Sequence, residues 1–326
     1  MSQQMRVAVI GAGTMGHALA LVFAMGGHRV RLTDANPATL DRAQVLMEKA
    51  LATLEAAGEA PKGWGSAQLA QACTRHASLE ECVDGAELIV EAIVENPDAK
   101  RELYARLHEC SPPNAIWASN TSYLDIFPLV PPARLKRTLI VHWYTPPYLV
   151  DLVDLVPHAE TDEAVLQQVK ALVEAMGKVP IVMRKFIPGY VANRIQAAIQ
   201  AEVQFLIDEG YATAQEIDAA VIHGIGLRLQ IIGVMAKADF TGLAMLQHAF
   251  RNRMYTPPED KGGSASMDAL VAKGQAGVMD GRGYYDWGGR PPAEIFEERD
   301  RRLVALKQSL RKIGFMAGFD VQANDP

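Results

Sequence analysis

Met5-Arg6-Val7-Ala8-Val9-Ile10 runs into Gly11-Ala12-Gly13-Thr14-Met15-Gly16, and Val30-Arg31-Leu32-Thr33-Asp34 follows after an apolar stretch. This stretch decides the fold. Residues 5–10 are short, apolar and rich in branched side chains, the pattern of a strand buried on both faces. Residues 15–25 suit a helix, Gly26 and Gly27 supply a left-handed stop, and residues 30–34 read as the next strand. The unit is strand, glycine-rich turn, helix, strand.

A lone G-x-G-x-x-G is a weak signal, but here it closes a strand, opens a helix, and is followed by an acidic residue ending the second strand. Gly11 permits the tight turn, Gly13 lets a pyrophosphate approach the backbone, and Gly16 lets helix and strand pack closely. The helix start, with Thr14 and Met15, offers N–H groups and a positive dipole end to the phosphates. Asp34 is placed to accept from an adenosine ribose 2′-hydroxyl and to repel a 2′-phosphate. Ala35-Asn36-Pro37 contains no arginine to hold that phosphate. The expected cofactor is NAD rather than NADP.

Working outward, strands are expected at residues 87–92, 116–119, 137–142, 149–155 and 180–183, with helices from Asn36-Pro37 to Ala57 and over 97–109 and 162–176. After Pro188-Gly189 the strand signals vanish. Helical character returns over 190–208, 214–223, 242–254 and 267–273, and residues 294–311 form a charged amphipathic stretch with Ile295, Leu303, Leu306 and Leu310 at helical spacing. The expected fold is therefore α/β: a Rossmann-type doubly wound parallel sheet over 1–186, followed by a mainly α-helical domain over 187–326. Residues 322–326 are expected to fray.

The 326 residues, 49% hydrophobic and 21% charged, suit a globular protein of two domains. A net charge of −6 argues against nucleic acid and anionic membrane as partners. The three cysteines have no C-x-x-C spacing, and no His/Asp/Glu cluster has metal-ligand spacing, so neither a disulfide framework nor a metal site is expected. With no signal peptide evident and no apolar run approaching the roughly 18 residues of a membrane span, the expectation is a cytoplasmic protein with no membrane association.

Four further segments carry chemistry: Glu91-Ala92-Ile93-Val94-Glu95-Asn96, Ser119-Asn120-Thr121-Ser122, His142 through Asp154, and Pro188-Gly189-Tyr190-Val191-Ala192-Asn193-Arg194. With Gly281-Arg282-Gly283-Tyr284-Tyr285-Asp286-Trp287 near the end, their order and content resemble the 3-hydroxyacyl-CoA dehydrogenase family. That family includes the lambda-crystallin (L-gulonate 3-dehydrogenase) and carnitine dehydrogenase types. The resemblance implies that His142 is the general base for the substrate hydroxyl and that Ser122 hydrogen-bonds both. It also implies Asn193 at the substrate carbonyl, Glu95 and Lys100 as cofactor contacts, and Asn120 beside the nicotinamide ribose.

The family places a Glu twelve residues after the histidine, where this chain has Asp154. Asp reaches about 1.5 Å less. Either the backbones come closer, a water bridges, or the pair is weakened. Asp151 is nearby, but on an extended segment it faces the opposite side from Asp154.

The resemblance divides on substrate. Acyl-CoA members carry a lysine-rich extension after the second strand, whereas here residues 41–80 hold only Arg42, Lys49, Lys62 and Arg75, apart from His76. Thr145 replaces an Asn usual in the family, and Arg228 could meet a substrate carboxylate. The expected substrate is a small L-3-hydroxy acid or a 3-hydroxyacyl-CoA, with the balance toward the free acid. The expected assembly is a homodimer formed through the helical domain. The other class is a non-catalytic NAD-binding or structural protein on the same fold.

Overall fold

The computed structural model describes residues 4–259 and 261–316. The chain divides into two compact units, Met1–Ala192 and Asn193–Pro326.

The first unit is built on an eight-stranded sheet in the order β3-β2-β1-β4-β5-β6-β7-β8. β1 is Arg6–Ile10, β2 Arg29–Thr33, β3 Cys73–Arg75, β4 Leu88–Glu91, β5 Ile116–Ser119, β6 Thr138–Trp143, β7 Leu152–Pro157 and β8 Val179–Val182. The strand order reverses direction between β1 and β4, which opens a crevice at their carboxyl ends.

Pairing is parallel throughout except between β6 and β7. Residues 144–151 are too few for a crossover helix, so β7 folds straight back on β6. One strand pair therefore departs from the parallel sheet that the alternating pattern suggests. Helix α6 (Glu163–Ala175) then carries the chain to β8 in the ordinary parallel sense.

Helix α1 (Gly16–Met25) is buried along nearly its whole length, from Gly16 through Ala24. That explains why it is apolar all round rather than amphipathic. Helix α2 (Pro37–Ala56) instead buries one stripe, Leu40, Ala43, Met47, Ala50, Leu51 and Leu54, at the spacing of a surface helix. It begins with Asn36 capping the Ala38 N–H at 3.0 Å and Pro37 in the first turn. The same device starts α5 (Pro97–Cys110), where the Asn96 carboxamide accepts from Asp98 and Ala99.

Between α2 and β4 lie α3 (Ser66–Ala72), β3 and α4 (Leu79–Val83). Sequence periodicity does not show these elements because they are short and bury few side chains. A core of Ile89, Tyr104, Trp117, Ile126, Ile140 and Tyr190 fills one face of the sheet.

Among the described residues the second unit is helical: α7 (Ala192–Asp208), α8 (Ala214–Ala220), α9 (Leu227–Thr241), α10 (Leu243–Arg251), α11 (Ala265–Ala272) and α12 (Pro292–Ile313). Ser264 caps α11 and donates to Gln204 Oε1 at 2.8 Å, while Asp208 accepts from the Ala265 and Ser266 N–H groups. The segment from Gly281 to Trp287 fastens to α7 and α8. Its Tyr284 hydroxyl donates to Gln204 at 2.7 Å and its Tyr285 hydroxyl to Asp218 at 2.5 Å. This motif is thus part of the unit's framework.

One expectation needs correcting here. Residues Ala214–Thr241 form a 28-residue helical run that contains an 18-residue window with a mean hydropathy of 1.6, long and apolar enough by composition to cross a membrane. A π-helical turn (Val221–Gly226) and a break at Gly233 (φ 65°) interrupt the run, and its charged residues Glu216, Asp218, Arg228, Lys237 and Asp239 hide it from a simple reading of the sequence. Apart from the buried Ile217, its apolar side chains are half-buried or exposed within the chain, Met235 being 78% exposed. Residues 322–326, expected to fray, lie outside the described residues.

Candidate active site

A cavity of about 1040 Å³ lies in the first unit at the carboxyl ends of β1 and β4. Asp34 and Thr39 line it together with Gly11, Gly13 and Met15, and Glu95, Asn120 and Ser122 line it as well.

The three glycines are required for different reasons. Gly11 has φ +93°, and a side chain there would meet the Ala92 carbonyl oxygen at 2.6 Å. A Cβ on Gly16 would sit 1.6 Å from the Gly11 carbonyl oxygen, so turn and helix pack in direct backbone contact. A Cβ on Gly13 would meet nothing within 4 Å. The protein leaves that space open beside a helix start with no side-chain cap, whose free N–H groups suit a pyrophosphate. Asp34 is held ready for a ribose: its Oδ2 accepts from Ala12 N–H at 2.7 Å and its Oδ1 from Asn36 N–H at 2.8 Å. These features fit a dinucleotide without a 2′-phosphate.

At the other side of the site, His142 and Asp154 are directly paired residues of β6 and β7. The His142 Nδ1 lies 3.2 Å from Asp154 Oδ2, and its Nε2 lies 3.1 Å from Ser122 Oγ. The contact with the carboxylate is direct, and the cross-strand register supplies the reach that the shorter side chain lacks. Asp151 takes no part, since it pairs with Lys178 at 3.2 Å.

Two residues with no role expected from the sequence complete this cluster. The Tyr144 hydroxyl donates to the same Asp154 Oδ2 at 2.6 Å, and its ring meets the imidazole edge-on at 4.6 Å. Tyr190 lies against His142 at 4.8 Å and donates to the Thr121 carbonyl at 2.6 Å. It adopts φ 50°, a left-handed conformation that costs a non-glycine residue on the order of 1–3 kcal/mol. Burial, with the Glu95 and Asp154 carboxylates nearby, pushes the Tyr190 phenol well above the ordinary tyrosine range, so it stays a donor.

Ser122 is placed by Glu95. One Glu95 oxygen accepts from the Thr121 hydroxyl and from the Ser122 and Tyr123 N–H groups, each at 2.8 Å. Burial opposes its charge, but these bonds and the Lys100 ammonium outweigh burial and hold the carboxyl below its ordinary value. Asn120 lines the cavity and accepts from the Trp143 N–H at 2.9 Å, which ties the loop after β5 to the end of β6.

Lys100 is placed otherwise than expected. It is 1% exposed, with its ammonium 2.6 Å from Glu91 and 3.5 Å from Glu95, so it supports the carboxylates from below and does not line the cavity. Glu91, also unforeseen, accepts from Lys100, Tyr104, Ser119 and the Ile93 N–H. Asn193, half-buried in the first turn of α7, and Arg228, whose Nε donates to the Gly224 carbonyl at 3.1 Å, belong to the second unit. Among the described residues no group of three His, Cys, Asp or Glu could hold a metal ion.

Residues 6–186 match the family model for the 3-hydroxyacyl-CoA dehydrogenase NAD binding domain, and residues 189–287 match the model for the family's C-terminal domain. The chain belongs to the 3-hydroxyacyl-CoA dehydrogenase family. It is an NAD-dependent dehydrogenase, and the Gly11–Asp34 side of the cavity falls within the matched NAD binding domain.

Individual relatives are similar over most of the chain. A lambda-crystallin homolog from Bos taurus is 33% identical over 248 residues, 75% of this chain and 77% of that protein. L-carnitine dehydrogenase from Streptomyces coelicolor is 32% identical over 321 residues, 95% of this chain and 96% of that protein. The crystal structure of a 5-formyl-3-hydroxy-2-methylpyridine 4-carboxylic acid 5-dehydrogenase, described as an NAD+-dependent dismutase, superposes with a TM-score of 0.84. It is 27% identical to this chain and covers 95% of it and 99% of its own length.

Proposed function

We propose that this 3-hydroxyacyl-CoA dehydrogenase family member oxidises the 3-hydroxy group of a small, free L-3-hydroxy acid, with His142 as the general base. The observation that carries this reading is the chain Asp154–His142–Ser122, which ends on a serine lining the NAD cavity.

NAD, when bound, supplies the acceptor for the hydride leaving the carbinol carbon. The protein's part is the proton. With Nδ1 facing a buried carboxylate, the neutral imidazole carries its hydrogen on Nδ1 and keeps the Nε2 lone pair on the Ser122 side. The substrate hydroxyl loses its proton to Nε2 as the carbonyl forms, and Asp154 stabilises the imidazolium that results. Ser122, held by Glu95, orients the hydroxyl. The family resemblance implies Asn193 at the substrate carbonyl, and Arg228 is the arginine the sequence offers to a substrate carboxylate.

Two observations favour the free acid. Among residues 41–80 the few cations are further reduced, because Arg75 is spent on Asp41 at 2.8 Å. Arg106, the one Lys or Arg lining the cavity among the described residues, pairs with Glu80 at 2.9 Å. Relatives named for L-carnitine and for a pyridine carboxylate, neither a CoA ester, support the same choice. The exposed apolar side chains of α9 and α10 suit pairing between two copies of the chain, and we assign a homodimer on that basis.

The test is NADH formation against parallel panels of free 3-hydroxy acids and their CoA thioesters. Turnover confined to the thioesters would overturn the free-acid assignment and leave the dehydrogenase activity standing.

A further inference from the structure

We propose that Tyr144 is a positioning residue that acts through Asp154 to set the proton affinity of the base. The proposal rests on His142 being that base. Asp154 is 0% exposed and uses its two oxygens unequally: Oδ2 receives both His142 and Tyr144, while Oδ1 is buried with no hydrogen-bond partner. Of the two bonds to Oδ2, the one from the Tyr144 hydroxyl at 2.6 Å is short, as phenol-to-carboxylate bonds are. The one from His142 at 3.2 Å is long for a charged pair. The carboxylate is therefore anchored by the tyrosine and offered to the histidine.

The anchor follows from the shortness of Asp154. A directly opposed cross-strand aspartate reaches the imidazole with little to spare and without a second anchor would be free to turn. Residues 142 and 144 fall on one side of the extended chain, so Tyr144 reaches the same carboxylate that His142 does. Its donation also draws charge from Oδ2. A carboxylate so engaged stabilises an imidazolium less than one whose charge is undivided.

The other groups around the imidazole are the Ser122 hydroxyl from the loop after β5 and the Tyr190 ring from the segment before α7. The carboxylates of Glu95 and Asp125, like Asp154, act on Tyr190. None of these donates to Asp154 in place of Tyr144.

The experiment uses the full chain and compares the parent with Tyr144→Phe, Asp154→Glu, the double variant and His142→Asn. Tyr144→Phe is expected to leave the KM for NAD within about twofold, to lower kcat about tenfold, and to move the acid limb of kcat/KM up by about half to one pH unit. In the Asp154→Glu background the longer carboxylate spans the gap unaided, and adding Tyr144→Phe is expected to cost less than about threefold.

An acid limb for Tyr144→Phe that superposes on the parent's or moves down would overturn the proposal. So would an undiminished loss in the Glu background, which also decides the matter if the single variant fails to fold. Retained activity in His142→Asn would instead overturn the base assignment itself.

Discussion

His142 and Asp154 stand directly opposite each other across the antiparallel pairing of β6 with β7, with Nδ1 and Oδ2 3.2 Å apart. Directly opposed residues in such a pair have Cα atoms roughly 4.5–5.5 Å apart, a separation an aspartate can bridge to an imidazole. The reversal of β7 therefore makes a twelve-residue sequence spacing into a contact, and it removes the need for a bridging water. If this pair activates the hydroxyl, His142→Asn should lower kcat by at least about 10²-fold while NAD binding, read by fluorescence titration, stays unchanged. A variant turning over at the parental rate would place the base elsewhere.

The glycines separate fold from ligand. Gly13→Ala adds a methyl into space the protein leaves open and at a φ that is not positive, so the melting temperature should hold or rise slightly. The same methyl should obstruct the pyrophosphate and weaken NAD binding by about tenfold or more. Gly16→Ala forces a carbon to 1.6 Å from the Gly11 oxygen and should cost roughly 4 kcal/mol or more in stability, measured by urea unfolding. Equal losses of stability in the two variants would show that Gly13 serves packing rather than the cofactor.

Glu95 ties acidity to the order of the Ser122 loop. Its folded-state carboxyl lies below its ordinary value of 4.5, so it adds stability that is fully present above that pH and lost as pH falls through the lower folded value. The melting temperatures of the parent and Glu95→Gln should thus differ at pH 6 and converge as pH falls below about 4.5. With the amide unable to gather the N–H groups of Ser122 and Tyr123, kcat should fall at every pH. A constant gap between the two melting curves down to pH 3 would argue against the assignment.

Much of this site is legible in the chain before folding, and the rest is hidden for physical reasons. The Gly11–Asp34 unit is local: its strand, turn, helix and strand are contiguous, so pattern alone brings the proposed cofactor residues together. His142, Asp154 and Ser122 come through the family resemblance, and the structure brings them together. Glu91 and Lys100 are opaque, because a buried ion pair looks like two ordinary charged residues until the fold removes their water. Tyr144 left a usable signal, since alternation along a strand puts it on the His142 side. What alternation cannot show is the register of β7, and register is what delivers Asp154 to both. Helix α9 is masked for a different reason: Gly233 and the charges of Arg228, Lys237 and Asp239 break the apolar run.

The cofactor choice can be tested at a single side chain. Asp34 already holds two backbone N–H groups, so its carboxylate is fixed in orientation before any ligand arrives. A hydrogen bond from a ribose hydroxyl to such a charged acceptor contributes about 1.5–3 kcal/mol. Asp34→Asn preserves shape and one acceptor oxygen but removes the charge, and its amide must face either Ala12 N–H or Asn36 N–H with a donor. The KM for NAD should therefore rise about tenfold or more, with kcat at saturation changed by less than about threefold, because the adenosine end is remote from the proton chemistry. Discrimination against NADP should weaken in parallel, since the charge that repels a 2′-phosphate is gone. A fall in kcat at unchanged KM would instead mean that Asp34 shapes the reacting end of the site and that the ribose is held by other groups.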